Sequence, residues 1–197
     1  MKSRAIILAA ILAAAPLARP AAAKDSPKPD RDFLGVELSK GHDNLDLVFY
    51  APGFSFDGKT VRVTDFKMKA DKPESGDCDL EWKEAGEFLA HAFTEETADH
   101  LKETKLTRKG SGGLTLEGQI TEFGCPKRGA SWGGWIGELG GQGGITFDMK
   151  VVDSSGKVVA AAHHRVMVGA SYSMRQRITN TWNDGDRMVG FFRHSGK

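Results

Sequence analysis

The N-terminal segment constrains this chain most, because it has the three parts of a secretory signal peptide. Lys2 and Arg4 supply the positive start, residues 5–15 form an uncharged apolar run, and small residues precede position 24. The run is about half of the roughly 20 residues that a transmembrane helix needs. We therefore expect cleavage near Ala23 and a periplasmic or secreted protein that is not membrane-spanning. A buried N-terminal helix or an uncleaved anchor is the alternative.

The mature chain is expected to be one globular domain. Removal of residues 1–23 leaves 174 residues and takes away three basic residues, so the formal charge falls from +1 to −2. A slightly acidic chain without a basic cluster argues against a nucleic-acid partner and against a polybasic membrane patch. Residues 24–32 are charged and proline-rich, which predicts a disordered leader before a single domain at 33–197.

Two cysteines, Cys78 and Cys125, both lie in the mature part. An even pair in an oxidising compartment favours a disulfide, and both residues lie among turn-forming neighbours. Closing a loop of 48 residues would stabilise the fold by about 4 kcal/mol in the chain-entropy model. Two free thiols are the main alternative, and a redox pair is disfavoured because the sequence has no Cys-x-x-Cys.

Hydrophobic periodicity predicts an α+β fold. Spacings of three and four between Ala85, Phe88 and Leu89, continuing to Leu101, predict one long helix from Lys83 to about Lys105. Alternation of apolar and polar residues predicts strands, which include a possible edge strand at 34–38 and a half-buried strand at 114–121. It also predicts a hairpin with its turn at 153–156, in which residues 145–151, with their odd-numbered apolar positions on one face, pair with residues 157–168. The resulting expectation is a mainly antiparallel sheet of about five strands, packed by the long helix and a short C-terminal helix within 184–194.

The order of elements resembles that of uncharacterised bacterial exported proteins and lipoproteins grouped as domains of unknown function. The stretches that carry the resemblance are YAPGFSFDGKTVRVTDF (50–66), LTLEGQITEFG (114–124) and GITFDMKVVDSSGKVVAAA (144–162). The resemblance covers residues 45–192 and implies an α/β envelope domain. The chain departs from that pattern in Cys125, in two tryptophans of its glycine-rich region and in lacking a lipid-attachment cysteine. The resemblance transfers no catalytic or binding residue.

The glycine-rich segment 129–144 is the most unusual feature of the sequence. Half of its sixteen residues are glycine, and Trp132, Trp135 and Ile136 lie among them. One interpretation is a loop that presents aromatic surface to an envelope protein or a glycan, since tryptophan combines a large apolar area with one N–H donor. The other is a tightly packed loop whose tryptophans cover the core while glycine permits close backbone approach.

No residue pattern predicts a catalytic site, a metal site or a cofactor. His91, Glu95 and Asp99 share one predicted helix face, as do Glu96 and His100, but the sequence lacks the His-Glu-x-x-His pattern of a zinc site. His163 and His164 are consecutive in a strand, so they point to opposite faces and one of them is expected in the core. Ser111 has glycine neighbours but no Gly-x-Ser-x-Gly context, so a linker is the better interpretation.

These observations favour a non-enzymatic periplasmic binding or envelope-assembly module whose contact surface includes Trp132, Trp135 and Ile136. One alternative is a hydrolase of an envelope polymer, for which two or more titratable groups must meet in a cleft. Another is a purely structural or stress-related exported protein. The sequence does not determine the partner or the oligomeric state.

Overall fold

A computed structural model describes residues 28–41, 45–73, 79–95, 97, 100–110, 113–124, 143–168 and 187–196. Three helices lie in these ranges: α1 (Arg31–Leu34), α2 (Asp79–Glu95) and α3 (Arg187–Phe192). The strands are β1 (Ser39–Lys40), β2 (Leu47–Tyr50), β3 (Thr60–Val63), β4 (Lys67–Met68), β5 (Lys105–Thr107), β6 (Leu114–Gly124), β7 (Gly143–Asp153) and β8 (Val158–Val168). None of the described helices is long and apolar enough to cross a membrane.

The described strands form one mixed sheet of eight strands in the order β1-β2-β8-β7-β6-β3-β5, with β4 pairing with β6. The prediction of about five mainly antiparallel strands is therefore wrong. Along the sheet, pairing is antiparallel from β1 through β2, β8 and β7 to β6. Strand β3 pairs in parallel with β5 and β6, and β4 pairs in parallel with β6. Parallel neighbours need a crossover connection, which α2 provides between β3 and β5. Pairing between segments so far apart leaves no local sequence pattern.

The three longest strands were located correctly from alternation. Ile145, Phe147 and Met149 of β7 are buried on one face, as predicted, and Leu116 and Ile120 of β6 are buried with them. The predicted hairpin is confirmed, because β7 pairs with β8 over its whole length and Gly156 closes the turn with φ +83°. We call this side of the sheet the core face.

Helix α2 and helix α3 both pack on the core face through aromatic rings. Phe93 of α2 stacks on Phe66 with ring centroids 5.5 Å apart, and Phe147 meets both rings edge-on. Phe192 of α3 contacts Phe56 and Phe93 in the same way. The predicted apolar stripe of α2 therefore covers the sheet.

The helix boundaries differ from the prediction. Helix α2 ends at Glu95, ten residues before the predicted end, and residues 105–107 form β5 instead. The backbone N–H of Lys105 donates to the Lys59 carbonyl at 2.9 Å, which places this segment beside β3. Sheet pairing at the edge thus overrides the helical periodicity that reaches Leu101, which still packs against the core.

The N-terminal part of the domain also differs from the prediction. Residues 34–38 do not form an edge strand, because Leu34 closes helix α1 and the first strand is Ser39–Lys40. Asp30, which the sequence placed in a disordered leader, caps α1 by accepting hydrogen bonds from the backbone N–H groups of Asp32 and Phe33. Asp30 and the start of α1 therefore lie within the stretch that the sequence assigned to the leader, while residues 24–27 lie outside the described part.

Candidate functional site

A group of polar side chains lies on the sheet face opposite the core face, which we call the polar face. Its members come from five parts of the chain: the residue before α1, the residue after β4, and the middles of β6, β7 and β8. We call this group the polar cluster: Asp30, Lys69, Gln119, Asp148 and His163.

The centre of the polar cluster is a buried carboxylate–imidazole pair. His163 Nδ1 lies 2.6 Å from Asp148 Oδ1, and the two residues are 4% and 0% exposed. They face each other because Asp148 of β7 is the register partner of His163 in β8. A carboxylate bound to Nδ1 fixes the ring orientation and leaves Nε2 as the nitrogen for another partner.

The other oxygen of Asp148 is bound by the N-terminal segment and by β6. Asp148 Oδ2 accepts the backbone N–H of Asp30 at 3.0 Å and the Gln119 Nε2 donor at 3.3 Å. Gln119 Nε2 also donates to Asp30 Oδ2 at 2.9 Å, so one amide bridges two carboxylates. This bridge gives each of the two neighbouring carboxyl groups a hydrogen-bond donor.

Lys69 completes the polar cluster at its solvent side by binding Asp30 Oδ2. The Lys69 ammonium, followed by the Gln119 amide and the Phe33 N–H, holds the pKa of Asp30 well below its usual range. The same pairing with Asp30 raises the pKa of Lys69 above its usual value. Asp30 is therefore ionised throughout the physiological range and cannot act as an acid there.

The polar cluster contains an oriented imidazole, but its hydrogen bonds attach the N-terminal segment to the sheet. A carboxylate-held histidine is the arrangement that positions general bases and metal ligands in other proteins. Here Asp148 accepts the backbone N–H of Asp30, and the Asp30 side chain caps α1. These two carboxyl groups therefore attach α1 to β7. Across the described ranges, no three His, Cys, Asp or Glu side chains are placed to hold a metal ion. The geometry therefore supports attachment of the N-terminal segment.

Further along β6 and β8, ionic groups continue at one end of the sheet. On the polar face, Glu122 accepts the Thr146 hydroxyl at 2.7 Å and pairs with Arg165 Nη2 at 3.2 Å. The Asp46 carboxylate, just before β2, accepts the Arg165 backbone N–H at 2.7 Å and lies 3.1 Å from Nδ1 of His164, whose side chain is on the core face. These contacts join β6, β7 and β8 to the residue that precedes β2.

An open groove of about 300 Å³ lies between α3 and the segment that precedes β5. Leu101 and Phe192 supply its apolar surface, and Asp57, His100 and Glu103 line it with titratable groups. A histidine and two acids thus line one groove, which is the kind of convergence that the hydrolase alternative requires.

A second open groove, of about 320 Å³, lies at the β1 edge of the sheet. Tyr50 and His194 line it and stack with centroids 3.7 Å apart and planes 10° from parallel. The Tyr50 hydroxyl donates to the Phe191 carbonyl at 3.2 Å, so the stacked pair holds the C-terminal tail against β2.

Several residues selected from the sequence lie outside the described residues. They are the partner-binding candidates Trp132, Trp135 and Ile136, the disulfide candidates Cys78 and Cys125, and also Ser111, Glu96 and Asp99. The predictions made for them stay predictions. What the structure does describe is the start of the glycine-rich connection: Gly124 of β6 pairs with Gly144 of β7, so residues 125–142 join the paired ends of two long strands.

The histidine predictions can be compared directly with the structure. His91 Nε2 and Glu95 Oε1 are 3.0 Å apart on α2, and both side chains are at least half exposed, so they form a surface pair. His163 and His164 point to opposite faces, as predicted. Both are buried and bonded to a carboxylate, whereas the sequence led us to expect only one histidine in the core.

Sequence reasoning missed Asp30, Gln119 and Asp148. Asp148 alternates with the core residues Phe147 and Met149, so its position is that of an ordinary solvent-facing residue. Its burial comes from α1, which lies 118 residues earlier in the chain. The one available signal was His163 beside His164 in an otherwise apolar strand, which marks a polar group that needs a partner.

Comparison with known proteins gives only distant likenesses. No family model matches the chain, and no curated protein matches it. Among solved structures, a PelC dodecamer from Paraburkholderia phytofirmans is 14% identical with a TM-score of 0.47, covering 70% of this chain and 93% of that one. A variant PelC dodecamer from the same organism gives 14%, 0.45, 70% and 89%. A protein described as uncharacterised gives 10%, 0.40, 69% and 89%. At this distance none of them carries an activity, a partner or an oligomeric state over to this chain.

Proposed function

We propose that this chain is an exported, non-enzymatic binding or assembly module of the bacterial envelope. The observation that carries the proposal is that the buried ionisable groups hold the chain together. Asp148, His163 and Asp30 bind one another or the backbone and hold α1 on the sheet. A catalytic carboxylate–histidine pair needs access to substrate, whereas Asp148 and His163 are both buried. The signal sequence supports the envelope location.

We place the contact surface of the module in the glycine-rich segment 129–144. Its support is positional, because the segment connects β6 and β7, which pair antiparallel from Leu114 and Asp153 to Gly124 and Gly144. Phe123 pairs with Ile145 and Gly124 with Gly144 at the end of that pairing. A rigid scaffold that ends in a long loop is the usual arrangement for a binding surface, and Trp132, Trp135 and Ile136 provide apolar contact area.

Replacing Trp132 and Trp135 together by alanine tests the proposal. The oxidised mature protein is used to capture partners from an envelope extract and from purified cell-wall glycan. We expect a protein or glycan that the wild type retains and the double variant does not, with the melting temperature unchanged within about 2 °C because exposed residues contribute little stability. The proposal fails if the double variant retains the same partners, or if it unfolds because the tryptophans belong to the core.

Trp82→Ala is the matched control. Trp82 Nε1 donates to the Ala70 carbonyl at 3.3 Å, and its ring packs against the core. We expect this variant to lose stability and keep partner capture, which separates loss of a tryptophan from loss of the contact surface.

The second candidate function is hydrolysis of an envelope polymer, and the groove beside α3 is the observation that favours it. His100, Asp57 and Glu103 line this groove together. His100→Ala and Glu103→Gln should abolish release of soluble fragments from a cell-wall polymer if the chain is a hydrolase. Equal release by the wild type and both variants would exclude this groove as the active site.

A further inference from the structure

We propose that residues Asp30–Leu34, which we call the N-terminal strap, are exchangeable between copies of this chain. In the exchanged form, the strap of one copy binds the polar face of a second copy in place of that copy's own strap. This inference is independent of the proposed function, since it concerns only the polar face and the segment that covers it.

The polar face beneath the strap contacts both its backbone and its side chains. Asp148 Oδ2 accepts the Asp30 N–H at 3.0 Å, and Lys150 Nζ donates to the Phe33 carbonyl at 2.8 Å. Lys150 Nζ also lies 4.6 Å from the centre of the Phe33 ring, within cation–π range. Leu34 is fully buried at the end of the strap.

The strap and the polar face are also complementary in charge. The strap brings the Asp30 carboxylate to the Lys69 ammonium and to the Gln119 amide. The contacts come from the end of β4 and from the middles of β6 and β7, so the receiving surface belongs to the sheet and does not depend on how the strap is connected. The same surface is therefore complementary to an identical strap from another copy.

The strap can separate from the sheet without disturbing the strands. Helix α1 is a single turn of four residues, too short to be stable without tertiary contacts. It precedes the first strand, and Gly35, with φ +68°, turns the chain between them. Opening of such a short segment needs less free energy than global unfolding, because it breaks only the contacts of the strap.

An empty polar face favours rebinding of a strap. When the strap leaves, Asp148 loses the Asp30 N–H, Gln119 loses one of its two acceptors, and water takes their place. The ion pair with Lys69 and the burial of Leu34 are recovered only when a strap binds again. Every copy carries both the strap and its site, so exchange conserves each contact and protein concentration decides which form dominates.

The test mixes two full-length mature variants with complementary defects. Leu34→Asp places a charge on the buried strap residue and leaves the site intact, whereas Lys150→Met weakens the site and leaves the strap intact. Native mass spectrometry distinguishes the two chains by mass. We expect the mixture to contain at least tenfold more 1:1 heterodimer than the homodimer in either variant alone at the same total concentration.

Arg31→Ala is the matched control for the strap, because the Arg31 side chain is 80% exposed and pairs with the exposed Glu37. Mixed with Lys150→Met, it should give no increase in heterodimer. Circular dichroism establishes that each variant is folded, and Leu34→Ala replaces Leu34→Asp if the latter is not. Folded complementary variants that remain two monomers over micromolar to millimolar concentrations overturn the proposal.

Discussion

His163 Nδ1 and Asp148 Oδ1 are 2.6 Å apart in the middle of the sheet, on neighbouring strands and almost without solvent contact. Two groups that are ionisable in water are thereby placed in an interior that tolerates charge only in pairs. The pair is surrounded by the strap, by Gln119 and by Lys69, so each partner depends on the others remaining in place.

Breaking the pair should destabilise the protein strongly. His163→Leu keeps the approximate volume of the side chain but leaves Asp148 Oδ1 without its donor. Leaving a buried carboxyl group without its hydrogen-bond partner typically lowers the free energy of unfolding by about 1–3 kcal/mol. Urea unfolding of the two proteins measures the difference.

His91→Ala is the control for that experiment, because its pair with Glu95 is on the surface of α2. Its unfolding free energy should change by no more than about 0.5 kcal/mol. Equal effects of the two histidine substitutions would contradict a special role for the buried pair.

Gly86 in α2 should not tolerate alanine. A Cβ atom at this position would lie 2.0 Å from the Phe66 carbonyl oxygen, and the Gly86 carbonyl accepts the Phe66 N–H at 3.2 Å. Alanine favours a helix over glycine by about 1 kcal/mol, but displacement of α2 from the backbone of Phe66 outweighs that gain. We expect Gly86→Ala to lower the unfolding free energy by about 1–3 kcal/mol, as overpacking does.

Gly113→Ala is the matched control, because nothing lies within 4 Å of a Cβ atom there. We expect it to be neutral or slightly stabilising, since alanine restricts the unfolded chain. Thermal unfolding of both variants compares them, and a stabilised Gly86→Ala protein would contradict the close approach of α2 to Phe66.

The Asp30–Lys69 pair should stabilise the fold only within a window of pH. Because the folded-state pKa of Asp30 is lowered, its contribution is complete above its unfolded pKa of about 3.9 and is lost as the pH falls below that value. The raised pKa of Lys69 has the opposite sign: its contribution is complete below about pH 10.4 and is lost as the pH rises through the higher folded pKa.

Asp30→Asn isolates this effect, because asparagine is also a good N-cap but cannot pair with Lys69. The melting temperature of the wild type should exceed that of the variant between about pH 4 and pH 10, and the two should converge as the pH falls below that range. Salt should reduce the difference, because Lys69 is largely exposed. A difference that stays constant down to pH 2 would contradict the assignment.

The predicted Cys78–Cys125 disulfide has a direct chemical test. Thiol labelling of the denatured, non-reduced protein should modify neither cysteine, and prior reduction should expose both. Replacing both residues by serine should lower the unfolding free energy by about 4 kcal/mol in the chain-entropy model. Two labelled cysteines without reduction would refute the disulfide.

The sequence by itself determined the local elements whose apolar residues recur regularly. Period-two alternation located β6, β7 and β8 and their shared core face, and the spacing of Ala85, Leu89 and Phe93 located the buried side of α2. These predictions succeeded because the burial of one face imposes a repeat on neighbouring residues. The same reasoning extended α2 to Lys105, since periodicity cannot detect a strand that pairs at a distant edge.

Only the tertiary structure decided the sheet order and the polar cluster. Parallel pairing of β3 with β5 and β6 depends on the crossover through α2, and the contact of Asp30 with Asp148 joins positions 118 residues apart. In the sequence, Asp148 and Gln119 occupy the alternate strand positions that solvent-facing residues normally occupy. They are buried because Asp30 and the single turn of α1 cover them. The burial of a polar side chain depends on which distant segment packs over it, and the local sequence does not contain that information.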